Sequence, residues 1–296
     1  MTGIICLDKD SDISSFRAIK KLRAILGIEK AGHTGTLDPM ATGLLVVMLG
    51  NCTRFIDFLP ESDKSYTARV KLGISTNTLD ITGEVLSRSS VNLSEEDIQK
   101  VAKGFIGKIS QTPPMFSAIQ KDGKRLYELA RQGIEIERES REIEISKLEI
   151  YDFDNDEFSV DVSCSAGTYI RSLADDMGKA LGCGACLKSL RRTAANGFNI
   201  EKALTLDEIS KMTKEGKIND FIMPIEKALS AYPAIKVTEP QAKRFHNGGA
   251  LDMDRIKTAE ISKSDIYCVY SHSGQFQGLA EISDNELKPR RVFVFE

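Results

Sequence analysis

The sequence predicts an α+β fold: a mixed, mostly antiparallel central sheet flanked by helices, followed by a small C-terminal β-barrel module. Three observations carry this. Strand-like and helix-like segments interleave over residues 3–212 without the regular β-α-β spacing of a doubly wound sheet. Residues 142–153 and 158–164 both alternate apolar with polar and follow one another closely enough to pair antiparallel. After Ala231-Tyr232-Pro233 the chain changes to short β-rich stretches, 267–270, 277–282 and 292–295, within the last 60 or so residues, which suits a small barrel. The expected boundaries are 1–230 for the larger domain and 231–296 for the smaller one.

Each element has its own signal. Residues 3–7 read as a strand. Residues 14–26 read as a helix capped by Ser14 and stopped by Gly27. The apolar run 44–49 suits a strand buried on both faces. Tyr66, Ala68, Val70 and Leu72 alternate with polar residues, so one face of that strand is buried. Ser94 with Asp97, and Thr205 with Glu208, have capping-box spacing at two helix starts. Pro113-Pro114 breaks structure, and residues 125–132 resume as a helix ended by Gly133. Residues 169–181 form a further helix, and Thr238-Glu-Pro-Gln241 starts another.

Composition excludes several functions. Lys and Arg number 40 against 43 Asp and Glu, a net charge of −3. Binding of nucleic acid through bulk positive charge is therefore excluded, while local basic patches are not. The longest apolar run, 44–49, is far short of the roughly 20 residues a membrane helix needs. The N-terminus lacks a signal-peptide pattern, so a soluble cytoplasmic protein is expected. Six cysteines are scattered through the chain. Cys183 and Cys186 have C-x-x-C spacing but no second pair, so free thiols are expected and no metal. Phosphate-loop, dinucleotide and zinc-protease motifs are absent.

The unusual stretch is 32–43, Gly-His-Thr-Gly-Thr-Leu-Asp-Pro-Met-Ala-Thr-Gly, between a helix and a buried strand. Pro39 biases Asp38 toward an extended backbone, and such a loop can hold one carboxylate in a fixed orientation. On composition alone an ordinary Asp-Pro turn is the stronger explanation.

The order of motifs adds to this. GHTGTLDPMATGLLVV resembles the catalytic motif of the TruB family of tRNA pseudouridine synthases. Lys64-Ser-Tyr66-Thr-Ala68 resembles that family's K-x-Y-x-A strand, and Thr76-Asn-Thr78-Leu-Asp80 with Gly83 its T-x-T-x-D-x-x-G turn. Residues 111–118, QTPPMFSA, are similar to its Q-x-P-P-x-x-S-A block. Gly167-Thr168-Tyr169-Ile170-Arg171 and Leu190-Arg191-Arg192-Thr193 resemble its G-T-Y-I-R and L-R-R-T segments. These blocks lie in family order.

The resemblance implies the pseudouridine synthase fold with a thumb-like insertion at about 112–140 and a PUA-like C-terminal module. It implies conversion of a uridine in the T-loop of tRNA (position 55) to pseudouridine by base flipping, with no cofactor and no protein partner, in a monomer. It implies Asp38 as nucleophile, which must be kept ionised against desolvation by a positive partner, Arg171. Tyr66 is implied to stack on the flipped base and take part in proton transfer, with Tyr169 supporting Asp38 and Arg171 from behind. Leu190 closes the apolar side, and His33 stacks against the T-loop. Without the resemblance these residues read as ordinary strand, core and helix positions.

Basic residues cluster locally: Arg17, Lys20, Lys21 and Arg23 on the first helix; Lys188, Arg191 and Arg192; and Lys121, Lys124, Arg125 and Arg131 on the insertion. RNA phosphates need such patches, with Lys64 added by the resemblance. The family's K-P-x-G start is Lys9-Asp10-Ser11-Asp12 here, which leaves the role of Lys9 open. Asp175-Asp176 reads as helix surface. Two other functions share much of this pattern: a non-catalytic RNA-binding or RNA-folding module, and the catalytic subunit of a guide-RNA particle.

Overall fold

The computed structural model describes residues 1–60, 63–256 and 263–295. Strand β1 (Gly3–Lys9) leads into helix α1 (Ser15–Leu26), whose Ser14 cap accepts from Arg17 N and whose Gly27 is left-handed, so both sequence signals act as expected. Then come β2 (Ala31–His33), β3 (Thr42–Leu49), a 3₁₀ segment (Gly50–Phe58) and β4 (Lys64–Leu72). A hairpin, β5 (Ile74–Thr76) and β6 (Val85–Arg88), precedes α2 (Glu95–Lys103) and β7 (Gly107–Gln111). The insertion holds β8 (Gln120–Lys121), β9 (Lys124–Arg125) and α3 (Leu126–Arg131). Strands β10 (Arg141–Asp154) and β11 (Glu157–Cys164) pair antiparallel, as their alternation predicts. Helix α4 (Ile170–Ala180), β12 (Ala185–Ala195), β13 (Phe198–Asn199) and α5 (Leu206–Lys214) complete the larger unit.

The central sheet runs β1-β3-β12-β4-β11-β10-β7, with β2 on β3 and β13 on β12. All pairs are antiparallel except β3 with β12, so the sheet is mixed. At that parallel junction Gly43 (φ +98°) lies so close to the Arg192 backbone that a Cβ would sit 2.4 Å from its carbonyl oxygen. Only glycine supplies both that φ and that approach.

Strand β12 is the element the sequence hides. Lys188, Arg191 and Arg192 interrupt its apolar pattern, and two register shifts against β4 break its alternation. A central position buries it regardless.

Strands β1 and β3 are buried on both faces. Ile5, Leu7, Leu45, Val47 and Leu49 join the core under the helices, while Ile4, Cys6, Leu44, Val46 and Met48 face the opposite side. There they meet Cys268, Phe276 and Leu279 of the C-terminal sheet in one apolar cluster. That sheet uses β14 (Ala234–Val237), β15 (Leu251–Asp252), β16 (Tyr267–Ser271), β17 (Phe276–Ser283) and β18 (Glu286–Val292), in the order β14-β16-β17-β18-β15. Helix α6 (Glu239–His246) packs on it, with Thr238 and Gln241 forming the capping box.

The last strand lies earlier than the apolar run at 292–295 suggests. Asp284 and Asn285 both adopt positive φ and make a tight hairpin turn, which places β18 directly after β17. Phe293 instead packs against Phe55 and Phe276. All six cysteines are buried free thiols. Among the described residues, no helix is long and apolar enough to cross a membrane.

Candidate active site

Asp38 sits in the loop between β2 and β3, and the loop's backbone is tied down at nearly every residue. Arg192 donates from Nη2 to Gly35 O (3.0 Å) and from Nη1 to Thr36 O (3.4 Å), and its Nε reaches Leu44 O (2.8 Å). Ser15 Oγ donates to Leu37 O (3.0 Å) and accepts from Leu37 N (2.9 Å). Ala41 N donates to Asp38 O (3.1 Å), and Lys9 Nζ reaches Pro39 O (3.3 Å). A loop whose polar backbone is satisfied by buried side chains holds its carboxylate in one place.

Arg171 meets Asp38 from the first turn of α4. Its Nη2 donates to Asp38 Oδ1 at 3.0 Å, and its Nε lies 2.8 Å from Asp38 Oδ2. Arg171 is only 4% exposed. Two backbone carbonyls complete its partners: Thr78 O takes Nη1 (3.1 Å) and Phe116 O takes Nη2 (2.9 Å). Asp80 Oδ2 is 3.9 Å from Nη1, and its other carboxylate oxygen accepts from Thr78 Oγ1, Thr82 N and Thr82 Oγ1. The guanidinium therefore joins three separate sequence blocks, which is what its planar fork allows.

The Asp38 carboxylate keeps 33% of its side-chain surface open. Burial pushes its pKa up; the Arg171 charge opposes this, the Asp80 carboxylate adds to it, and the net direction is upward. Burial likewise pushes Tyr66 up, against the pull of the neighbouring Arg192 charge, so Tyr66 remains a phenol at neutral pH. Tyr66 pairs with Arg192 across β4 and β12, and Leu190 pairs with Ala68 on the same strands. Both side chains lie in the cluster that contains Leu37.

Other expected residues fall in different places. Tyr169 caps α4, its backbone is held by Gln111, and its ring lies 5.0 Å under the Arg141 guanidinium. It stands at the helix start, two residues before Arg171, and none of its given contacts is to Asp38 or Arg171. His33 pairs with Val47, and burial first and Arg192 second push its pKa down, leaving a neutral ring. It borders a groove of about 230 Å³ together with Lys20, Arg23 and Phe16, which is 75% exposed. Arg17, Lys20 and Lys21 are exposed on α1, and Lys121 and Arg125 on the insertion. Lys64 Nζ lies beside Gly35, at the loop's edge.

The second basic cluster is not a set of three free cations on the surface. Arg192 is 1% exposed and its donors serve the loop, so it cannot meet phosphates. Arg191 is paired with Asp8 (2.7 Å) and Lys188 with Glu157 (2.6 Å). Asp175 is buried rather than on the surface and pairs with Lys179 (2.6 Å). Lys9, left open by the sequence, is a buried tie between the N-terminal turn and the loop, donating also to Asp10 O and Ile13 O at 2.7 Å each. Burial lowers its pKa to about 8. Lys9 and Gln111 had a sequence signal, through their motif positions, whereas Ser15 looks like an ordinary helix-start serine.

A cavity of about 580 Å³ opens elsewhere, under the insertion, lined in part by Thr112, Phe116, Ser172 and Asp175 but not by Asp38. Among the described residues, no cluster of His, Cys, Asp and Glu could hold a metal.

The fold is that of the pseudouridine synthases. The chain superposes on the structure of a Cbf5-Nop10-Gar1 complex with a TM-score of 0.75 and 26% identity, covering 99% of this chain and 85% of that one. An H/ACA ribonucleoprotein bound to a substrate RNA containing 2′-deoxyuridine gives 0.75 and 25%, with the same coverage. The TruB family pseudouridylate synthase N-terminal domain matches residues 23–170, and two TruB C-terminal domains match 171–230 and 233–293. A tRNA pseudouridine synthase B of Pseudomonas fluorescens (strain Pf0-1) is 41% identical over 100% of this chain and 97% of its own length. That of Pseudomonas paraeruginosa is 38% identical over 99% and 96%. The chain belongs to the TruB family.

Proposed function

We propose that this enzyme converts a uridine in the T-loop of tRNA, at position 55, to pseudouridine, with Asp38 as nucleophile. The observation that carries the reading is the two-point contact between Asp38 and a buried Arg171, with Tyr66 close enough to feel the Asp38 charge. The target base is everted at a cost of a few kcal/mol, which binding of the rest of the RNA offsets. Asp38 attacks the bound nucleotide, and the bond between N1 and the sugar C1′ breaks. The uracil turns over and C5 bonds to C1′ as the bond from Asp38 to the sugar breaks, which returns the free carboxylate. The proton leaves C5, N1 is protonated, and no atom is gained or lost overall.

Arg171 keeps the carboxylate charged and aimed. Tyr66 stacks on the everted base and relays the C5 proton, Leu190 closes the apolar side, and His33, neutral, stacks within the T-loop. Arg17, Lys20, Lys21, Lys64, Lys121 and Arg125 contact the RNA backbone, and Arg191 does so at the edge of its pair with Asp8. Residues 1–230 act as the catalytic domain and 231–296 as the PUA-like RNA-binding module. The chain works as a monomer without a protein partner.

Incubating the purified chain with an unmodified T-stem-loop and mapping carbodiimide-reactive products tests this. One pseudouridine at the T-loop position is expected. Binding without isomerisation would favour a non-catalytic module, and activity only with a guide RNA would favour a guided particle. Tyr66→Phe separates stacking from proton relay: affinity for the stem-loop should hold while turnover falls on the order of 10²–10⁴-fold. Turnover at wild-type rate would remove the hydroxyl from the mechanism.

A further inference from the structure

We propose that Gln111 and Arg141, the residues flanking the 112–140 insertion, are positioning residues that couple the seating of that insertion to the Asp38–Arg171 pair. The inference rests on the reading of Arg171 given above. The two residues pair in register, as the last of β7 and the first of β10. One step inside them, the Thr112 and Ser140 hydroxyls share a 2.8 Å hydrogen bond, so the insertion hangs from a closed neck.

Both sides of that neck grip the segment leading into α4. Gln111 is 1% exposed and uses both ends of its amide on one residue: Oε1 accepts from Tyr169 N (2.8 Å) and Nε2 donates to Tyr169 O (3.1 Å). Arg141 lies over the Tyr169 ring and donates from Nη2 to Gly167 O. Gly167 has φ +89°, and a Cβ there would meet the Arg141 guanidinium at 3.3 Å. The insertion then touches the same helical turn twice more. Ser172 Oγ donates to Thr112 O (3.1 Å), and Phe116 O accepts from Arg171 itself (2.9 Å).

Residues 169, 171 and 172 are thus each held by the insertion or its neck. Helix α4 has no side-chain cap of its own at Tyr169, so Gln111 supplies the polar partner that its start lacks. RNA contacts made by the exposed Lys121 and Arg125 would be felt at Arg171 through this neck. A shift of about an ångström at a reacting group is enough to cost roughly 10²-fold in rate.

The test uses full-length Gln111→Leu and the milder Arg141→Lys, which keeps the charge but loses the planar stack. Single-turnover rates at saturating enzyme, stem-loop affinity, melting temperature and the pH profile of the single-turnover rate are measured for each. Expected are rates about 10–100-fold below wild type, affinity within about threefold, and an acidic limb displaced to higher pH as the guanidinium loosens from Asp38. Soluble folded Arg141→Lys with the wild-type rate and limb would overturn the proposal. So would a rate loss in both variants that only tracks the unfolded fraction, with the limb unmoved. Wild-type enzyme that fails to isomerise the stem-loop, or Asp38→Asn that retains turnover, would instead refute the underlying functional reading.

Discussion

Asp38→Asn is expected to reduce pseudouridine formation by on the order of 10⁴-fold or more while leaving stem-loop affinity within a few-fold of wild type. The amide fills the same volume and its oxygen can still accept from Arg171 Nη2, so the loop keeps its ties to Arg192, Ser15 and Lys9. What it loses is a charged nucleophile, while the other carboxylate at the Arg171 guanidinium, Asp80, is engaged by Thr78 and Thr82.

The sign of the pH effect follows from the upward displacement of Asp38 by burial. The ionised form is the active one, so kcat/KM should fall as pH drops through a pKa above the ordinary carboxylate value. A raised folded-state pKa also means that ionised Asp38 costs stability, and that wild type regains it as pH falls through that pKa. The Tm of Asp38→Asn should therefore lie at or above that of wild type at pH 7, and the difference should narrow toward pH 4. Thermal melts across that range, beside single-turnover assays, check both signs. Measurable turnover by the variant would exclude Asp38 as nucleophile.

Arg171→Lys is expected to lower turnover by roughly 10²–10³-fold despite the conserved charge. An ammonium is a point charge on a flexible stem and cannot span Asp38, Thr78 O and Phe116 O as the guanidinium does. At least one of those buried acceptors goes unpaired, at a cost of about 1–3 kcal/mol of stability. Weaker contact with Asp38 should also move the acidic limb of kcat/KM to higher pH. A lysine variant with near wild-type kcat and an unmoved limb would show that charge alone, without the fork, is sufficient.

Much of the fold was legible because local signals and burial agreed. Ser14, Ser94 and Thr205 cap helices as their spacing predicts, and the unbroken apolar run in β3 belongs to a strand with both faces covered. Strand β12 was not legible because its basic residues look like surface. Arg192 enters the interior only because the loop carbonyls of Gly35 and Thr36 need donors there. The same confusion produced the expected Lys188–Arg191–Arg192 patch, which the structure resolves into one buried tie and two ion pairs. Asp175 was misplaced for a related reason: helix periodicity alone does not reveal that the insertion packs over α4.

The order of short motifs pointed to Asp38, Arg171 and Tyr66 as one constellation only through their resemblance to the TruB family, since taken singly each residue reads as an ordinary loop, helix or strand position. The meeting of Asp38 and Arg171 across 133 positions was decided in three dimensions. The parallel junction of β3 with β12, the neck of the insertion and the buried Lys9 bring loop and helix into register, and the contacts they make are not written in any local pattern. Backbone carbonyls are present at every residue, so which of them a distant side chain satisfies is set only by packing.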